Sequence, residues 1–102
     1  MARDQLERAI TKDSGRSAAT VFGGHEQVLR QTVIALREGH SLGDHDNPDE
    51  ATVQVLTGRV RLTAGEHQWL GRDGDLLVVP DAKHSLDALE DSTILLTVAK
   101  KP

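Results

Sequence analysis

The sequence predicts an all-β domain, a sandwich or a barrel, from three observations. Short segments rich in Val, Ile, Leu and Thr recur from residue 28 to residue 99. Turn-forming clusters separate them, namely Thr57-Gly58, Ala64-Gly65-Glu66, Gly71-Arg72-Asp73-Gly74-Asp75 and Glu90-Asp91-Ser92. Their spacing is the roughly eight to twelve residues of small β architectures. Between them no stretch carries a helical period, so the crossover helices of a parallel α/β sheet are excluded.

Taken in order, residues 3–12 place Leu6 and Ile10 four apart, a single apolar stripe that suits either a short helix or an extended arm. Thr11 to Ala18 is polar, contains Gly15 and reads as a loop. Residues 1–18 are therefore expected to form an N-terminal arm and residues 19–102 the barrel domain, without internal repeats. Val28 to Leu36 is long enough for a strand, and Thr52 to Leu56 is another. Thr57-Gly58 is expected to turn the latter into Arg59 to Thr63 as a hairpin, with Val60 and Leu62 on one face and Arg59, Arg61 and Thr63 on the other. His67 to Leu70 and Leu76 to Val79 follow, and Pro80-Asp81-Ala82-Lys83 breaks the second of these. Residues 84–89 and 93–99 close the series.

At 102 residues the chain supports one core, and a domain of that size buries only about two-thirds of its unfolded surface. Pairing with a second copy would compensate, so a homodimer is expected. The balance of 12 basic and 16 acidic side chains gives a net charge of -4, and the longest basic cluster is Lys100-Lys101. With Phe22 and Trp69 as its only aromatics, the chain lacks both the charge and the stacking surface that nucleic acid requires. Apolar runs such as Leu76-Leu77-Val78-Val79 are far too short to span a membrane. The absence of cysteine excludes disulfides, thiolate nucleophiles and cysteine-ligated metal. It suits a reducing compartment, and residues 1–5 do not lead into an apolar leader core, so a cytoplasmic location is expected.

Two segments carry a family resemblance. GHSLGDHDNPDEATVQVLTG, residues 39–58, resembles the first conserved motif of the cupins, and GDLLVVPDAKH, residues 74–84, resembles the second. The skeleton of the match is Gly39, Val55-Leu56-Thr57-Gly58, Gly74-Asp75, Pro80 and His84. The resemblance implies a cupin-type jelly-roll β-barrel with a ligand pocket in its mouth, and often a metal held by three His and a Glu. Aligned on Gly58, the two His positions of the first motif fall on His45 and Asn47, and the Glu position falls on Ala51, with Glu50 one residue out of register. The His of the second motif is His84, and the Asn that often follows falls on Ala88. Because strands alternate, an inward Ala51 brings Val53 and Val55 inward and turns Glu50 away, unless a bulge near Pro48-Asp49 intervenes.

The resemblance thus implies a divalent transition metal (Zn, Fe, Mn or Ni) on His45 and His84, with His40, Asn47 or His25 as candidate third ligand. The plainer reading makes the two imidazoles polar residues at a pocket entrance. Either way the pocket is bounded by Asn47, Ala51, Val53, Val55 and Leu86, an aliphatic lining suited to a small-molecule ligand. His67 reads as a solvent-facing hairpin residue, Trp69 as core or interface packing, and Arg59 and Arg61 as solvated or dimer-facing. No Gly-x-Ser-x-Gly elbow surrounds Ser41, Ser85 or Ser92, and the acidic run Asp44, Asp46, Asp49, Glu50 lacks EF-hand spacing.

Overall fold

The computed structural model describes residues 15–23, 28–45, 50–80 and 82–99, with residues 43–45 described through their backbone alone. The segments of alternating and β-branched residues become strands β1 (Arg16–Phe22), β2 (Leu29–Leu36), β3 (Ser41–His45), β4 (Glu50–Thr57), β5 (Arg59–Ala64), β6 (His67–Arg72), β7 (Leu76–Val78), β8 (His84–Ala88) and β9 (Ser92–Ala99). They form two antiparallel sheets, one ordered β1-β2-β9-β4-β7 and the other β3-β8-β5-β6. In both sheets strands from the first and second halves of the chain lie side by side, the interleaving of a jelly roll. Among the described residues no helix is long and apolar enough to cross a membrane.

The inner faces meet in one core of Ile34, Leu36, Val53, Val55, Val60, Leu62, Val79, Leu86, Ala88 and Ile94. Each pair separated by two along a strand reflects the period-2 rule: Val53 and Val55, Val60 and Leu62, Leu86 and Ala88 all point inward. Val55, Val60 and Leu36 are fully buried. Removing water from this much aliphatic surface is the main stabilising term of a domain without disulfides.

Four local expectations need correction. Residues 16–18 are not loop but the start of β1, where Ser17 is buried against Ala35 across the ladder. The segment Ser41–His45, whose Gly43 and Asp44 disguise it, is a strand. Gly71 and Arg72 belong to β6, not to the turn, because a residue without a side chain fits beneath Leu77 and Val55, either of which would lie 3.1 Å from an added Cβ. Finally, Thr57-Gly58 does not close a hairpin. β4 and β5 lie in different sheets, so the chain turns a corner there instead of folding back. The expected helix or arm at residues 3–12 lies outside the described residues.

The corner is held by polar groups from two other segments. Gly58 N–H donates to Asp73 Oδ1 at 2.6 Å, Arg59 N–H donates to Ser92 Oγ at 3.1 Å, and the Thr57 and Thr93 hydroxyls lie 2.8 Å apart. Gly58 has φ 97°, and a methyl group there would overlap Ser92 Oγ and the Asp91 carbonyl. Gly65 is also left-handed, at φ 59°, but nothing lies within 4 Å of its would-be Cβ. Gly58→Ala is therefore expected to cost roughly 2–4 kcal/mol in urea unfolding, adding overlap to backbone strain, and Gly65→Ala only about 1 kcal/mol. Equal losses at the two positions would show that the crowding around Gly58 is relieved without cost.

Candidate functional site at the barrel mouth

β8 fixes one wall of the mouth. Leu86 and Ala88 face the core, so His84, two residues before Leu86, faces the same way and is half-buried where the strand begins. Register then aligns its neighbours. Leu86 pairs with Leu62 and Ser85 with Thr63, and continuing by one residue sets Ala64 beside His84. Ala64 pairs with His67 on β6, and His84 pairs with His45 on β3. One cross-strand row therefore reads His45, His84, Ala64, His67 over the four strands of this sheet. Residues directly opposite in an antiparallel pair share a face.

The position of His45 depends on a bulge. Leu42 pairs with Leu86 and His45 with His84, so β3 spends three residues where β8 spends two, and the extra residue falls at Gly43-Asp44. The sequence had suggested a bulge farther on, at Pro48-Asp49, which lies outside the described residues.

His84 is oriented by its own chain. Its Nδ1 lies 3.0 Å from the Ala82 carbonyl oxygen. A carbonyl can only accept, so Nδ1 is the donor in this contact. The same second contact orients many metal-binding or substrate-binding imidazoles.

The facing sheet supplies Ala51, half-buried and packed on the core, with Val53 and Val55 beneath it, while Glu50 is exposed. The register thus keeps the hydrophobic set inward, and the carboxylate one residue away faces out. Val53, Val55 and Leu86, at 3%, 0% and 3% exposure, form the packed floor under the mouth.

The candidate third ligands separate. Asn47 and His25 lie outside the described residues. His40 sits at the other end of the β3–β8 ladder, where its carbonyl accepts from Ala88 N–H at 2.9 Å. Four residues along β8 separate Ala88 from His84, about 13 Å of strand. The His40 ring covers Gly15, Nδ1 lies 3.4 Å from the Glu38 carbonyl and Nε2 lies 3.3 Å from Arg37. His40 therefore belongs to the packing of the opposite end of the barrel. Among the described residues no group of three His, Asp or Glu side chains converges as a metal site.

Two residues acquire a significance that their local sequence did not signal. His67 is exposed, as its hairpin position predicts, and Trp69 is 40% exposed, so it is not a core residue. Trp69 pairs with buried Leu62 and lies two residues from buried Gly71, which sets His67 and Trp69 on the inward-directed side of β6. Their rings stack, with centroids 6.0 Å apart at 30°. Only the register with β5 reveals this wall, and β6 alone reads as an undistinguished mixture.

No protein-family profile matches the chain, and no curated protein matches it by sequence. Solved structures do. A conserved protein of unknown function from Streptococcus pyogenes superposes with a TM-score of 0.79 at 28% identity, covering 89% of this chain and 79% of that one. A cupin superfamily protein from Desulfitobacterium hafniense gives a TM-score of 0.79 at 13% identity, over 89% of this chain and 83% of that one. The salicylate 1,2-dioxygenase of Pseudoaminobacter salicylatoxidans, solved with gentisate, gives 0.80 at 17% identity over 96% of this chain, which spans only 31% of the enzyme. The architecture is therefore that of the cupin jelly-roll barrels. The likeness is one of fold, and Ala51 and Ala88 stand where the resemblance to the cupin motifs would place Glu and Asn.

The stacked pair gives a direct check on the mouth. Trp69 is the only tryptophan, so its fluorescence reports on this wall alone. His67→Ala should raise the acrylamide quenching constant of Trp69 while moving the melting midpoint by no more than about 4 °C, as befits an exposed side chain. Unchanged quenching would mean that the ring of His67 does not shield the indole in solution.

Proposed function

We propose that the protein binds a small molecule at the barrel mouth, using His84 and His45 on one wall, Ala51 on the other and the His67–Trp69 pair at the edge. The observation that carries this reading is the hydrogen bond between His84 Nδ1 and the Ala82 carbonyl, which orients a half-buried, inward-facing ring at the strand's end. An imidazole so oriented can meet a ligand group or a metal without a rotamer search. Val53, Val55 and Leu86 are packed into the core beneath the mouth, so the ligand would meet the rim residues above them.

In the first form of this reading, a divalent transition metal (Zn, Fe, Mn or Ni) is held by His84 Nε2 and His45, whose backbones are paired across β3 and β8. Two His on paired strand positions would fit such an ion in part, leaving its other positions to water or ligand. When bound, the metal would supply Lewis-acid polarisation of a ligand oxygen. His84 would be oriented by Ala82, and the apolar floor would exclude water. In the second form the barrel is a metal-free binding or sensing module. The inward Ala51 and exposed Glu50 favour it, since the family's carboxylate position carries no donor.

The chain is further proposed to act in the cytoplasm as a homodimer with no nucleic-acid or membrane partner. The strongly exposed Leu76 and Val78 on the edge strand β7 support pairing through that edge.

Elemental analysis of untagged protein beside His45→Ala and His84→Ala separates the two forms. Near-stoichiometric metal in the parent and a loss of more than about tenfold in occupancy in each variant is the expected result for the metal form. Added Zn, Ni, Mn or Fe should then raise the melting temperature of the parent only. Metal-free protein with an unmoved melting temperature would sink that form and leave ligand binding, monitored through Trp69 emission, as the test of the second.

A further inference from the structure

A second cleft opens at the opposite end of the barrel from His84. It has a volume of about 330 Å³ and is lined by Arg59, Val60, Leu70, Gly71, Arg72, Asp75 and Leu89. That volume is at the lower end of the range for small-molecule sites. Arg59 and Arg72 are cross-strand partners on β5 and β6, directly opposite and on one face. Like charges so placed repel, a cost that an isolated sheet has no reason to carry.

The nearby carboxylates do not relieve it. Asp73 Oδ1 accepts from Gly58 N–H at 2.6 Å, and Asp75 Oδ2 accepts from Arg72 N–H at 3.0 Å. Asp87 accepts from Ser41 Oγ at 2.5 Å and pairs with Arg61 at 3.2 Å. These contacts orient the acids toward backbone amides or Arg61, and among the described residues no carboxylate lies within ion-pair distance of the guanidinium of Arg59 or Arg72. Beside the two cations stand Leu70, 70% exposed, and half-buried Leu89. An exposed Leu next to two unneutralised guanidiniums matches the two ends of an amphipathic anion.

We propose that this cleft binds a small organic carboxylate, its charged group bridged by Arg59 and Arg72 and its apolar chain laid against Leu70 and Leu89. The planar guanidinium suits a carboxylate bidentately, and two of them facing one another can share it. An inorganic anion would leave the leucines uncovered, and a neutral lipid would leave the arginines unpaired. The site is independent of the mouth and needs neither His45 nor His84.

The experiment is a titration of the whole chain with hexanoate, acetate and 1-hexanol, followed by calorimetry and by amide chemical shifts. Hexanoate is expected to bind saturably, shifting Leu70, Gly71 and Leu89, with acetate and hexanol each weaker by about tenfold or more. Arg59→Gln and Arg72→Gln should each weaken hexanoate at least about threefold, and the double variant should abolish saturable binding. The double variant should also melt no lower than the parent, because a like-charge pair has been removed, while His84→Ala should leave hexanoate binding unchanged. Hexanol binding as tightly as hexanoate, shifts centred on Val53 and Leu86, or unaltered affinity in both arginine variants would overturn the assignment. So would a dimer that dissociates in the double variant, since the cleft would then belong to a contact between two copies.

Discussion

The passage of the chain from one sheet to the other at Gly58 is the constraint on which the remaining geometry rests. β4 ends in one sheet and β5 begins in the other, so a single left-handed residue sets how the two faces are offset. Asp73, Ser92 and Thr93 converge on that corner from elsewhere in the chain, and the Val55 backbone is bracketed by Asp75 carbonyl and Gly74 N–H at 2.8 and 2.7 Å. Only with this offset do Val53 and Val55 meet Val60 and Leu62 across the core. The same offset carries β5 outward in register until Ala64 stands beside His84.

The barrel is chemically polarised along its length. At the end away from His84, side-chain carboxylates cap turn amides, and Asp91 Oδ1 does the same for Glu38 N–H at 2.9 Å. Arginines and leucines are left on the outer surface there. The mouth has the reverse character, with imidazoles and an indole over an aliphatic floor. Between the two lies a core with no ionisable side chain in its cluster.

The strands with strict alternation were legible in the sequence because burial on one face imposes a period that nothing else produces. Val60, Leu62 and Arg61 are the clearest case, and the inward set Ala51, Val53, Val55 follows the same rule. β3 was not legible, since Ser41, Gly43, Asp44 and His45 supply no hydrophobic period and the bulge spoils what remains. Nor was the β4–β5 corner, because Gly58 serves equally well in a tight hairpin and in a change of sheet. His84 could be picked out from its place after Pro80. The inward direction of His67 and Trp69 could not, as it depends on pairing with β5, a non-local fact of register.

The inward, half-buried Ala51 has a meaning that reaches beyond its own packing. An Ala51→Glu substitution would place a carboxylate where the cupin motifs carry one. The floor beneath is already packed by Val53 and Val55, and little else in the fold hangs on a methyl group at the rim. The chemistry of such a rim can therefore change through one side chain while the architecture stays fixed.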